Sequence, residues 1–217
     1  MATQTLTPSS RRELPIADAM VFHLLGRYEQ ATPAEQLSGT AWYDDAHALA
    51  GTLAKRYRFT LRQTAAAIAV LSPQVDWEHN KHLAERACEL YRLGDPPDAL
   101  DAIGNSARRA WIALSGDLSD VNRTHRTLKV HNFYRSIMLD HGAVCVDRHA
   151  LRAACGYDTP AIINGGMTDA CYVAVASAFT RAARMVAEPS YVFQAITWVV
   201  QRRITADSNP FIPTVAL

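Results

Sequence analysis

Apolar residues recur at intervals of three and four along most of the chain, the spacing that gathers side chains on one face of a helix. Pro15 suits the first turn of a helix whose apolar positions Ile16, Met20, Phe22, Leu24 and Leu25 continue to about Tyr28. A loop through Gly39 is expected next. Beyond it Trp42, Tyr43, Ala46, Leu49, Ala50 and Leu53 form one packing face of a second helix. Thr60, followed three residues later by Gln63, is a capping-box start for LRQTAAAIAVL. That segment is so nearly apolar throughout that it predicts the buried centre of the fold.

Ser72–Pro73 ends this helix, because the residue before a proline is driven out of helical geometry. Asp76 is placed to cap WEHNKHLAERACELYRL, which stops at Gly94. A short helix is expected after Pro97, and Asn105 is positioned to cap SARRAWIALSG. DLSDVNRTHRT reads as polar and irregular, and a helix follows from about Leu128 to Leu139. After His141–Gly142, the residues AVCV have extended character but are too few for a sheet of their own. Asp147 is the N-cap candidate for RHALRAACG. Two longer helices, TDACYVAVASAFTRAARMVA and PSYVFQAITWVVQRR, carry wide apolar faces that pack inward, and Trp198 in the second reads as core.

Abundant alanine and few long β-branched runs favour helix over sheet, so the fold class expected is all-α. No linker-like tract divides the middle of the chain, which predicts one compact helical domain over residues 13–204. A flexible N-terminus (1–12) and a C-terminal tail (205–217) flank it. Lys and Arg number 22 against 21 Asp and Glu, so there is no overall field to draw the chain onto a polyanion. Any nucleic-acid site must be a local basic patch. Cys88, Cys145, Cys155 and Cys171 stand singly, without the short paired spacings of a zinc or iron–sulfur site, so neither metal nor cofactor is expected. They read as free thiols in a reducing compartment. With no run of about eighteen apolar residues and no apolar core behind the N-terminal arginines, a cytoplasmic monomer with no membrane partner is expected.

Candidate chemistry gathers in KVHNFYRSIMLDHGAVCVDRH, from Lys129 to His149. Lys129 and Asp147 are eighteen positions apart, enough for about three helical turns, a reversal at His141–Gly142 and a short extended return. The chain can thus bring an amine and a carboxylate together. An aspartate at a helix N-terminus is favoured in its ionised form, which is the form that stabilises positive charge on a sugar as a glycosidic bond breaks. An amine adding at the same carbon gives an imine, from which elimination cleaves the strand. Each residue alone also has an ordinary structural reading, Asp147 as a cap and Lys129 as a solvated surface side chain.

Lys129, Asn132, the apolar run ending at Asp147–His149, and Arg152 resemble the lysine-helix-VDxH signature of the helix-hairpin-helix DNA glycosylases, especially their endonuclease III-like branch. Upstream, AVLSPQVDWEHNKHLAERACELY is similar to that family's LSxQ segment. The ordered fragments span roughly residues 65–156. The resemblance implies a glycosylase-like helical fold, Lys129 as nucleophile, Asp147 as the catalytic carboxylate, and Gln74 reaching into the duplex beside an extruded base. The glycine-rich hairpin that holds a DNA phosphate in that family is absent, since SDVNRTHRTL precedes the lysine. So are the C-terminal cluster cysteines.

Arg123, His125, Arg126 and Lys129 stand where the hairpin belongs and are the candidate DNA contacts, or simply a solvated basic loop. Trp77 can stack on a base or pack on the core, Asn132 belongs to the resemblance, and His131 and His149 are expected to make hydrogen bonds near the pocket. The function expected is excision of a modified or damaged base from DNA by base flipping, a role in DNA repair or DNA modification. Two alternatives are an enzyme that processes hypermodified thymine in viral DNA on the same fold, and a non-catalytic helical domain that binds DNA or a protein.

Overall fold

The computed structural model describes residues 17–122, 128–156 and 167–207, and the fold of these residues is all-α, without a strand. The helices are α1 (Ala17–Glu29), α2 (Pro33–Tyr57), α3 (Leu61–Leu71), α4 (Trp77–Leu93), α5 (Ser106–Leu114) and α6 (Ser119–Asn122). They are followed by α7 (Leu128–Ile137), α8 (Arg148–Cys155), α9 (Asp169–Met185) and α10 (Ser190–Asp207), with a 3-10 turn at Pro97–Ala99. Pro15, Arg123, His125 and Arg126 lie outside the described residues.

Helix α3 is the centre, with Thr64 to Leu71 all buried and α2, α4, α5 and α7 packed around it. Its capping box forms as expected: the Gln63 N–H donates to Thr60 Oγ1 and the Thr60 N–H to Gln63 Oε1. The Thr64 hydroxyl, the polar group in this buried stretch, donates to the Ala50 carbonyl of α2 at 2.8 Å. Burial of each of Ile68, Val70 and Leu71 contributes about 1.5–3 kcal/mol.

The expected loop through Gly39 does not exist. Helix α2 begins at Pro33, behind a Thr32/Glu35 capping box, and runs straight through Gly39 to Tyr57. Gly39 is the point where α2 meets α10, and a Cβ there would lie 2.5 Å from the Ile196 Cα. The glycine marks a close helix crossing rather than a turn. Two smaller expectations also change. Asn105 precedes α5 but makes no side-chain cap bond, and the segment expected to be irregular contains the short α6.

The buried side chains form two clusters. One surrounds α3; the other joins α1, α8 and α9. Helix α10 belongs to both, with Tyr191, Val192, Ala195 and Ile196 in the first and Phe193 in the second. The extended segment before α8 also threads the seam. Cys145 faces the first cluster, and Val144 and Val146 face the second, the period-two alternation of extended backbone. Its backbone is satisfied by a side chain in place of a strand partner: the Val146 N–H donates to the Tyr172 hydroxyl (3.0 Å), which donates to the Val144 carbonyl (2.8 Å). This seam carries Asp147 to its position.

Candidate active site

Lys129 sits in the first turn of α7 and Asp147 caps α8, both half-buried. The Cys145 thiol lies 3.7 Å from the Lys129 carbonyl, which ties the extended segment to the start of α7. Burial pushes that thiol up to about 12, with Lys129 pulling it down and Asp147 pushing it up. The Asp147 carboxylate is held through both oxygens. Oδ1 accepts from the Ala150 N–H at 2.8 Å, the N-cap bond, and Oδ2 accepts from the Trp198 indole N–H at 2.9 Å.

Two depressions meet at this pair. One is a cavity of about 600 Å³ walled by Trp42, Tyr43, Trp77, Phe133 and Trp198. Trp42 packs within it, 5.0 Å from Trp77, 6.0 Å from Phe133 and 6.1 Å from Trp198 between ring centroids. The other is a trough of about 780 Å³ between the Pro73–Gln74 loop, Arg109 and the first residues of α7, α8 and α9. Lys129, Asp147 and Arg148 line both. Lys129, Asp147 and Arg148 therefore stand at the border between an aromatic cavity and a more polar channel.

Many polar residues also line the aromatic cavity, Ser72, Asp76, Asn80, His149 and Gln194 among them. Gln194 is buried and accepts from the Tyr43 hydroxyl at 2.9 Å. Asn80 is buried, donates through Nδ2 to the Ile68 carbonyl, and leaves Oδ1 without a partner among the described residues. His149 likewise has an unpartnered, buried Nδ1 and stands edge-on to Trp198 at 5.9 Å. Burial lowers its basicity below the ordinary imidazole value; Asp147 opposes this, while Arg148, Arg152 and Arg202 add to it. At the mouth, the Arg202 guanidinium lies over the Trp198 ring, 4.7 Å from its centroid, and Arg203 pairs with the buried Glu35 at 2.7 Å.

Of the residues singled out from sequence, Lys129, Asp147, Trp77 and His149 line the aromatic cavity, and Gln74 lines the trough. Gln74 is exposed and adopts a left-handed backbone (φ 65°), which is uncommon for a residue with a Cβ. Asn132 lines neither space. It is buried in α7, donating to the Leu128 carbonyl and accepting from Arg135. His131 is also away from the cavity, donating from Nδ1 to the Val121 carbonyl.

Trp198 is not simply core: it is half-buried on the cavity wall and bonded to the carboxylate. Trp42, expected only as part of a packing face, lines the cavity, and so do Phe133, Gln194, Asn80 and Arg148, which were not singled out. Helical spacing held the signal for several of them, since Phe133 is four residues from Lys129, and Gln194, Trp198 and Arg202 follow one another at intervals of four. Among the described residues there is no cluster of three metal-ligating side chains.

Fold and site define an all-α protein with a lysine and an aspartate at the edge of an aromatic cavity. The chain belongs to the family of unknown function DUF7178, whose model matches residues 8–205. No curated protein and no solved structure matches it. No helix among the described residues is long and apolar enough to cross a membrane.

Proposed function

We propose that the protein is a DNA N-glycosylase that receives an extruded modified or damaged base in the aromatic cavity, with Lys129 and Asp147 acting at the anomeric carbon. The observation that carries this reading is the position of both side chains on the border shared by cavity and trough. In an extruded nucleotide the anomeric carbon is the joint between base and backbone, so groups that act on it belong at such a border. The base stacks among Trp42, Trp77 and Trp198, where each stacked contact contributes about 1–3 kcal/mol. The backbone follows the trough past Arg148 and Gln74.

As the glycosidic bond breaks, its electron pair leaves with the base and positive charge develops on the sugar. The Asp147 carboxylate stabilises that charge. The Lys129 ammonium gives a proton to the departing base, the freed amine adds at the same carbon, and transfer of a proton from that nitrogen to the ring oxygen with ring opening gives the protonated imine from which elimination cleaves the strand. Release of free base from a panel of base-modified duplexes tests the proposal. Turnover of one substrate, abolished by Asp147→Asn, is expected; no release from any of them contradicts it.

A second reading, processing of a hypermodified thymine while its glycosidic bond stays intact, is favoured by the length of the cavity. It runs along α10 from Gln194 to Ala206, about 18 Å at 1.5 Å per residue, well beyond one nucleobase. Mass spectrometry of the nucleosides after incubation separates the readings, because one removes the base and the other alters its substituent.

A further inference from the structure

We propose that Trp198 is a positioning residue for Asp147, clamping the carboxylate from the cavity side while the helix N-terminus clamps it from the other. The chemical consequence rests on the glycosylase reading; the clamp itself rests on geometry. Asp147 Oδ1 is held by the Ala150 N–H at 2.8 Å and Oδ2 by the Trp198 indole N–H at 2.9 Å. An ionised carboxylate has about four lone-pair sites, so two bonds fix its orientation and leave acceptor capacity facing a developing cation.

The identity of the donor matters. A lysine or arginine bonded to Oδ2 would orient the carboxylate but cancel the negative charge that the sugar cation needs. An indole N–H is neutral and can only donate, so it orients the carboxylate without neutralising it. Trp198 is itself held, with Arg202 lying over its face and His149 in a T-shaped contact with it. The same ring walls the cavity beside Trp42, so a base stacked there touches the residue that orients the acid.

The full chain carrying benzothienylalanine at position 198, in which sulfur replaces the indole N–H, keeps the ring and removes only the donor. Against the base-modified duplex that the wild type processes, kcat is expected to fall about 10–100-fold with KM unchanged. Trp198→Phe, which also shortens the stacking surface, is expected to raise KM as well. Independently of turnover, the Trp198 indole proton in a nuclear magnetic resonance spectrum is expected to lie downfield and to move upfield on Asp147→Asn. An indole proton indifferent to that substitution, or a benzothienylalanine variant with full kcat, overturns the proposal. If the wild type releases no base but the indole proton still answers to Asp147→Asn, the glycosylase reading fails and the clamp stands.

Discussion

Replacing Asp147 separates the structural work of this residue from its chemistry, because two substitutions remove different parts of it. Alanine removes both hydrogen bonds. Loss of the N-cap of α8 costs about 1 kcal/mol. The Trp198 N–H then loses its partner, which costs about 1–3 kcal/mol when water is excluded and the lower end here, where Trp198 is only half-buried. Asp147→Ala is therefore expected to cost about 2–3 kcal/mol. At about 2–4 °C per kcal/mol for a chain of this size, the Tm falls about 4–12 °C. Asparagine keeps the cap through its single oxygen but turns its NH2 toward the Trp198 N–H, so the indole bond and the charge at the helix N-terminus are lost, about 1–2 kcal/mol in all. Differential scanning calorimetry and urea unfolding of the three proteins measure this directly. Equal Tm values for the alanine and asparagine variants would show that the cap bond of Asp147 contributes nothing, and the derivation would be refuted whatever the protein's activity.

Gly39→Val forces side-chain atoms into the Ile196 backbone and should destabilise by about 3 kcal/mol or more, measurable by urea unfolding, whereas an ordinary mid-helix glycine would gain from the change. Because burial lowers the basicity of His149, the unfolded chain binds its proton first as pH falls. Its contribution is thus intact above the ordinary imidazole value of about 6.5 and lost as pH drops from there through the lowered folded value, so His149→Gln should flatten the acid-side decline in Tm. Trp77→Ala should weaken binding of a base-modified duplex by about 1–3 kcal/mol and also lower Tm, since Trp77 packs on Trp42 and Phe133 as well as lining the cavity; an unchanged Kd in the folded variant would remove it from the site.

The helical class and the central α3 were legible because capping chemistry and apolar periodicity agree there: Thr60, Gln63 and the run to Leu71 point to one outcome. Asp147 was legible for the same reason, its capping role being local. Gly39 misled because a glycine at a helix crossing and a glycine in a turn look alike without the partner helix, although the Thr32-Pro33-Ala34-Glu35 box just upstream signalled the true start of α2. Trp198 misled for a related reason. An aromatic residue in an apolar helix reads as core until a carboxylate from 51 residues away is found against its N–H. Trp42 and Trp77 meet from different helices, and no local pattern foretells such a meeting.

That Lys129 shares the anomeric carbon with Asp147 is the claim on which the functional reading turns. The most direct measurement is borohydride reduction of the full chain mixed with duplexes carrying modified bases or an abasic site, followed by peptide mapping. A covalent protein–DNA adduct on Lys129, lost in Lys129→Ala, is the result expected. No adduct, or an adduct mapped to another lysine, contradicts it.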